Sequence, residues 1–236
     1  MNRYKLTTFT CGPHSLELFC LQSACSKLSS EVQHVCVNAT KTILHQHFAA
    51  DFDLTGQLVW PGALLMNDYI CKNSELFRNS CVLELGSGVG ISGILCSKFS
   101  RRVVLTDHND EILVILNKNI EHQISGGKHN DYCEISAEKL EWGNDNDMRQ
   151  ILKKYPNGFD IILGADICFQ QASIAPLFDT VTHLLRIQPS HCLFILAYVS
   201  RARTMDELVV KEANNHGLSI QQVKSNLGLI FLISLP

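Results

Sequence analysis

Three closely spaced glycines form the segment of this chain that is best suited to chemistry. Gly86, Gly88 and Gly90 follow the apolar run Cys81–Leu85, where a buried strand would turn into a helix. Glycine allows positive φ and lets a ligand approach the backbone, because no Cβ is in the way. Unpaired N–H groups at the start of the next helix can donate hydrogen bonds to that ligand. The segment therefore predicts a nucleotide-type cofactor at the carboxyl end of this strand.

Two carboxylates near the glycines bear on the class of cofactor. Gly88, Gly90 and Gly93 satisfy the G-x-G-x-x-G pattern of dinucleotide sites, and Asp107 can accept hydrogen bonds from the ribose of NAD or of S-adenosylmethionine. Glu84 lies just before the glycine loop. Its charge would repel a pyrophosphate but would suit a cofactor with a cationic sulfonium and no phosphate. Asp107 has a second interpretation as the N-cap of a helix that begins near Asp110, although Asn109 could supply that cap.

The elements that would position these residues alternate along the chain. Apolar runs separated by segments of helical periodicity are typical of a parallel sheet that is buried on both faces. The last two apolar runs are too close together for a crossover helix, so they should pair antiparallel. Residues 142–147 are rich in turn formers. The predicted strands are 82–85, 103–106, 132–137, 159–165, 192–199, 218–223 and 229–235, and the predicted helices are 63–70, 90–99, 111–123, 174–187 and 205–215.

The first 55 residues show no clear functional pattern. Apolar residues between positions 32 and 44 recur at helical spacing and predict one amphipathic helix, whereas residues 16–21 alternate only weakly. No repeat or Pro/Gly-rich linker divides the remainder. We therefore expect an N-terminal extension over residues 1–55, packed on one domain over residues 56–236.

The composition excludes several classes of protein. A chain of 236 residues with 46% hydrophobic and 18% charged residues is not a disordered chain. Its net charge of −3 argues against nucleic-acid binding through a basic face, and no apolar run approaches the roughly 20 residues that cross a bilayer. The ten cysteines form no C-x-x-C pair, which predicts reduced core thiols and no metal site. With no visible secretory signal, the chain is expected in the cytoplasm, with the nucleus as a further location.

Four motifs in order resemble a known family. The run 82–90, followed by Asp107, resembles the seven-strand S-adenosylmethionine-dependent methyltransferases. Residues 59–63 (Val-Trp-Pro-Gly-Ala), 140–143 (Leu-Glu-Trp-Gly) and 164–169 (Gly-Ala-Asp-Ile-Cys-Phe) resemble methyltransferase family 16, a group of small protein-lysine methyltransferases. The resemblance covers roughly residues 55–235. It implies an α/β, Rossmann-like sheet of seven strands in the order 3-2-1-4-5-7-6, with strand 7 antiparallel and helices on both faces.

The resemblance also implies which residues bind the cofactor. Trp60 would cover part of the cofactor pocket, Trp142 would pack against the adenine, and Ala165 would bring backbone groups close to the ligand. Each tryptophan has an alternative as an ordinary core residue. Glu84 would order the loop or contact the methionine end, with an ordinary strand-end carboxylate as its alternative. The full predicted cofactor set is Trp60, Glu84, Gly86, Ser87, Gly88, Gly90, Asp107, His108, Trp142 and Ala165.

Asp166 and Phe169 are the predicted catalytic residues. Methyl transfer needs an acceptor nitrogen with a free lone pair, and a carboxylate at Asp166 could hold and orient the incoming amine. The alternative is that Asp166 only caps the segment that follows it. The family usually has Asp-x-x-Tyr here, so Phe169 keeps the ring and lacks the hydroxyl; it would wall the acceptor channel or pack in the core.

These features together predict an S-adenosylmethionine-dependent methyltransferase that acts on a lysine of a protein substrate. We expect a monomer that uses no metal and binds neither nucleic acid nor membrane. Three alternatives stay open: a small-molecule N- or O-methyltransferase, a catalytically weak cofactor-binding module, and an NAD-linked oxidoreductase. The last lacks any Tyr-x-x-x-Lys hydride-transfer motif.

Overall fold

The computed structural model describes residues 4–21, 52–127, 132–188 and 192–236. The predicted helix between positions 32 and 44, Cys25 and Cys36 lie outside these residues. The described strands are β1 Lys5–Cys11, β2 His14–Cys20, β3 Cys81–Leu85, β4 Arg102–Asp107, β5 Glu134–Lys139, β6 Ile161–Ala165, β7 Leu193–Tyr198, β8 Ser219–Val223 and β9 Leu229–Ser234. The described α-helices are α1 Pro61–Lys72, α2 Ser74–Phe77, α3 Ile91–Cys96, α4 Asp110–Ser125, α5 Asp145–Lys154, α6 Ile174–Ile187 and α7 Arg203–Asn215. Two short 3-10 helices span Phe52–Gln57 and Gln171–Ser173.

A seven-stranded sheet with the order β5-β4-β3-β6-β7-β9-β8 organises the chain. Counted from β3, this is the predicted order 3-2-1-4-5-7-6. The pairs from β5 to β7 are parallel, whereas β9 runs antiparallel to both β7 and β8. The predicted antiparallel pairing of the last two strands is therefore confirmed.

Helices cover both faces of this sheet. Successive residues of a strand point to opposite faces, so they pack against different helices. Val82 belongs to a buried cluster with residues of α1, α3 and α4, and its neighbour Leu83 belongs to a second cluster with residues of α5, α6 and α7. Val82 and Leu83 are both fully buried. This two-sided burial explains why the central strands read as continuous apolar runs.

The N-terminal segment contributes a β-hairpin that the sequence analysis missed. Strands β1 and β2 pair antiparallel across the two-residue loop Gly12-Pro13, with Gly12 at a φ of 56°. Leu16 and Leu18 are fully buried and alternate with more exposed residues, so the period-2 signal was present. The predicted domain boundary at residues 55 and 56 falls inside the 3-10 helix Phe52–Gln57 and stays a prediction.

Helix α5 was also missed, because its start was interpreted only as a turn-rich segment. Asn144 caps the helix through its side chain, which accepts hydrogen bonds from the N–H groups of Asn146 and Asp147. Only Met148 and Ile151 are buried along it. Met148, Ile151, Leu152 and Tyr155 recur at helical spacing, so the signal was present and was overlooked beside the turn formers that begin the segment.

Candidate functional site

A cavity of about 430 Å³ lies at the carboxyl ends of β3, β4 and β6. Pockets that hold ligands of drug-like size have volumes of about 300–1,000 Å³. Every predicted site residue except Gly90 lines this cavity. The strands adjoin in the sheet although their sequences are far apart, so the parallel pairing brings the predicted residues to one place.

The glycine loop turns between β3 and α3 with positive φ at each glycine. Gly86 and Gly88 have φ values of 60° and 54°, and both line the cavity. A Cβ on Gly88 would lie 2.9 Å from the carbonyl oxygen of Gly56, so this position also needs glycine for packing. Ser87 fixes the loop, because its N–H donates to the Thr106 carbonyl at 2.8 Å.

Gly90 differs in position from the other predicted cofactor residues. It is the N-cap of α3 with a φ of 88°, and it is not among the residues that line the cavity. A Cβ there would come within 2.4 Å of Leu116 Cδ1, on α4. Gly90 thus permits the close packing of helix against helix, and its predicted contact with a cofactor stays a prediction.

Glu84 lies in β3, just before the glycine loop, and is 2% exposed. Its Oε2 accepts a hydrogen bond of 3.0 Å from the N–H of Gly93, in the first turn of α3. Burial raises the pKa of this carboxyl from its ordinary value to about 7. The hydrogen bond to Gly93 supports the predicted role of Glu84 in ordering the loop. Glu84 also lines the cavity.

Asp107 ends β4 and connects the glycine loop to the next helix. Its Oδ2 accepts from the Gly88 N–H and its Oδ1 from the Asn109 N–H, each at 3.1 Å. The N-cap of α4 is Asn109, whose side chain accepts from Glu111 N–H at 2.8 Å, so Asp107 does not serve as the cap. The adjacent His108 is 70% exposed with Nδ1 3.4 Å from Asp107 Oδ1, and this contact raises the pKa of the imidazole.

The two tryptophans both line the cavity, as predicted. The Trp60 Nε1–H donates to the Thr55 carbonyl at 2.6 Å, which fixes the indole just before α1. The Trp142 ring lies against the glycine loop, because a Cβ on Gly86 would be 3.1 Å from Trp142 Cζ2. Each indole is partly exposed and available to a ligand in the cavity.

Asp166 follows β6 directly and has a φ of 58°, in the left-handed region that side chains rarely adopt. Its buried carboxylate places Oδ2 3.1 Å from the N–H of Gly62, in the first turn of α1, and 2.8 Å from Arg201 Nη2. It therefore caps a distant helix and not the segment that follows, where Gln170 is the N-cap. In the described part of the chain, Asp166 Oδ1 is buried without a hydrogen-bond partner.

The remaining predicted residues flank this carboxylate. Ala165 pairs with Ala197 in the sheet, and the Ala197 carbonyl accepts from Asp166 N–H at 2.8 Å. Phe169 lines the cavity and is half-buried, which agrees with a wall residue better than with a core residue.

Sequence analysis missed two residues that complete the site. A Cβ on Gly62 would be 2.6 Å from Asp166 Cβ, so glycine is what lets α1 approach the carboxylate. The Pro-Gly-Ala motif contained that signal. Arg201, which pairs with Asp166, lies in the loop after β7 and belongs to no recognisable motif.

The described residues contain no group of three or more His, Cys, Asp or Glu side chains that could hold a metal ion. Eight of the cysteines lie in the described part, where they are free thiols, and all of these except Cys71 are buried. Nor does any helix within the described ranges have the length and apolar character needed to cross a membrane. The expectations of no metal and of a cytoplasmic location stay predictions.

Comparison with known protein families gives a match over most of the chain. A family model described as lysine methyltransferase matches residues 40–215. "EEF1A lysine methyltransferase 3" of Xenopus tropicalis is 31% identical over 170 residues, which is 72% of this chain and 70% of the frog protein. "Protein-lysine N-methyltransferase EFM3" of Chaetomium thermophilum is 28% identical over 70% of this chain, which spans 49% of the fungal protein.

Solved structures share the fold at low sequence identity. The glycopeptide N-methyltransferase MtfA superposes with a TM-score of 0.52 at 12% identity, over 74% of this chain and 90% of that one. A putative RNA methyltransferase from Pyrococcus horikoshii gives a TM-score of 0.50 at 11% identity, over 73% and 82% of the two chains. These similarities concern the fold alone.

Proposed function

Because the chain belongs to the lysine methyltransferase family, we propose that it transfers a methyl group from S-adenosylmethionine to a lysine side chain of a protein substrate. The cofactor would occupy the cavity at the carboxyl ends of β3, β4 and β6. The proposal rests on the charge of that cavity, on the groups that face it, and on the family of the chain.

The charge of the lining is the observation that carries the choice of cofactor. Four carboxylates line the cavity, at Glu84, Asp107, Glu141 and Asp166, and no Lys or Arg is found among the described lining residues. Arg201 pairs with Asp166 and burial raises the pKa of Glu84, which leaves Asp107 and Glu141 as the main carboxylates that would repel a pyrophosphate and attract a sulfonium or an ammonium group. This supports S-adenosylmethionine over NAD.

The residues present also fit the shape of this cofactor. We assign the ribose hydroxyls to Asp107, whose carboxylate lines the cavity, and the adenine to the exposed part of Trp142. Trp60 would cover the bound sulfonium, with a cation–π attraction of about 0.5–2 kcal/mol. Gly86 and Gly88 leave the backbone accessible to the methionine end.

Asp166 would act on the acceptor. When bound, S-adenosylmethionine supplies an electrophilic methyl group, and the transfer forms a nitrogen–carbon bond as the sulfur–carbon bond breaks. Asp166 Oδ1, which has no partner among the described residues, would accept a hydrogen bond from the acceptor amine and aim its lone pair. Phe169 would exclude water beside it. Such alignment is worth roughly 7–11 kcal/mol of the barrier in well-oriented systems.

The experiment is methyl transfer from S-adenosylmethionine with a tritiated methyl group. The purified chain is incubated with a cell extract and, separately, with purified EEF1A, since the similar frog protein is named for that acceptor. We expect one labelled protein band whose tryptic peptides carry a methylated lysine. The variant Asp166→Asn should reduce the rate about 100-fold, because the acceptor loses its orienting charge.

Asp110→Asn is the matched control, since Asp110 is exposed on α4 and its ion pair within the described part of the chain is with Lys139. It should label at the wild-type rate. Label that appears in small molecules would favour the small-molecule alternative. Binding of S-adenosylhomocysteine without transfer to any protein would favour the binding-module alternative, which the missing hydroxyl of Phe169 suggests.

A further inference from the structure

Arg201 is a charged residue that contacts the proposed acceptor end. Its Nη2 lies 2.8 Å from Asp166 Oδ2, and its guanidinium carbon lies 5.3 Å from the centroid of the Trp60 ring. The Arg201 side chain is 27% exposed, whereas that of Asp166 is fully buried. Arg201 thus contacts two lining residues but is not itself among the described residues that line the cavity.

This contact cancels the charge of the buried carboxylate. A buried carboxylate without a cation nearby would be strongly destabilising, and the Gly62 N–H supplies only a partial positive charge at the same oxygen. With Arg201 in place, the pair carries no net charge while Oδ1 keeps its capacity to accept a hydrogen bond. The Asp166–Arg201 pair is therefore polar and carries no net charge.

Three other titratable groups, Cys168, Tyr198 and Asp206, lie near the pair. Burial raises the pKa of the Cys168 thiol, with Asp166 adding to the shift and Arg201 opposing it, so the thiol is neutral. Burial likewise raises the pKa of Tyr198. Asp206, on α7, accepts a hydrogen bond of 2.5 Å from Ser200 Oγ.

We propose that Arg201 is a specificity-determining residue that makes the acceptor end select a neutral amine over an ammonium. The proposal rests on the proposed function. A lysine in water has a pKa of about 10.4 and enters mostly as an ammonium, which has no lone pair for methyl transfer. A site of net charge −1 would hold that unreactive form tightly. A pair without net charge, whose buried Oδ1 has no hydrogen-bond partner among the described residues, favours the amine.

Two ligands test the charge of this end without knowledge of the acceptor. S-adenosylhomocysteine carries no charge at the transfer position, whereas sinefungin carries an ammonium there and is otherwise closely similar. The ratio of their dissociation constants, measured by calorimetry at pH 8, therefore reports the charge that faces the transfer position. Partial unfolding of a variant changes the binding stoichiometry and leaves this ratio unchanged.

The variants change the charge of the pair by known steps. Arg201→Met should shift the ratio toward sinefungin by about tenfold or more, and Asp166→Asn should shift it toward S-adenosylhomocysteine by a similar factor. The double variant restores neutrality and should return to within about threefold of the wild-type ratio. Arg201→Lys keeps the charge and should do the same.

Arg203→Met is the matched control, because Arg203 is 91% exposed and pairs with Glu207 one helical turn away. It should leave the ratio unchanged. A ratio within twofold of wild type in Arg201→Met, or a shift toward S-adenosylhomocysteine, would overturn the proposal while leaving the proposed function standing. If the wild-type protein binds neither ligand, the proposed function fails and this inference fails with it.

Discussion

At the scale of single residues, Glu84 shows how burial links the fold to the charge of the site. The side chain is 2% exposed and its pKa is raised to about 7, first of all by burial. In the unfolded chain the carboxyl ionises near its ordinary value of 4.5. Between these two values the folded protein holds a proton that the unfolded chain has released, so folding stability must fall as pH rises through this window.

The variant Glu84→Gln isolates that effect because it cannot ionise. The stability of the wild-type protein relative to this variant should fall between pH 4.5 and 7 and then stay constant, by about 3 kcal/mol in total. Urea denaturation of both proteins at pH 5 and pH 8 measures the difference. Identical pH dependence in the two proteins would show that Glu84 ionises normally.

At the scale of elements, one side chain connects the N-terminal hairpin to the glycine loop. Asn119, fully buried on α4, accepts from Phe19 N–H at 2.7 Å and donates to the Phe19 carbonyl at 3.1 Å and the Val89 carbonyl at 2.9 Å. The hairpin is thus held against the helix that supports the loop. Gln123 adds a bond of 2.7 Å to the Glu17 carbonyl.

Asn119→Leu should therefore destabilise the protein by about 3 kcal/mol, because it leaves three backbone groups without their partner. It should also weaken binding of S-adenosylhomocysteine, since the loop loses its brace. Asn117→Leu is the control: Asn117 is exposed on the same helix, and the side-chain hydrogen bond it makes to a described residue goes to the Leu113 carbonyl one helical turn away. Urea denaturation measures the stability of the two variants, and calorimetry measures their affinity for S-adenosylhomocysteine. Equal effects of the two substitutions would show that Asn119 does not hold the hairpin and the glycine loop together.

The same elements show what the sequence could reveal. The central strands were predicted because burial on both faces makes them continuous apolar runs, and glycine, acid and indole motifs marked the cavity. Helix α5 was missed because the turn formers at its start drew attention away from the helical spacing of Met148, Ile151 and Leu152. The pair Arg201–Asp166 joins residues 35 apart, and the bond between Gly62 and Asp166 joins residues 104 apart. Only the sheet topology brings such groups together, so no local pattern predicts them.

At the scale of the whole molecule, the sheet order creates the site. Strand β3 has β4 on one side and β6 on the other, so the chain reverses its direction of travel across the sheet at this strand. Crevices form at such switch points, outside the carboxyl ends of the strands. Glu84, Asp107 and Asp166 come from these three strands or directly follow them, and each lines the cavity.

A crystal structure of the protein with S-adenosylhomocysteine tests the proposed cofactor site most directly. We expect the adenosyl group in the cavity, with its ribose hydroxyls at about 2.7–3.2 Å from Asp107 oxygens and its adenine beside Trp142. The sulfur should face Asp166. A ligand bound elsewhere, or a ribose held by other residues with Asp107 turned away, would contradict the account.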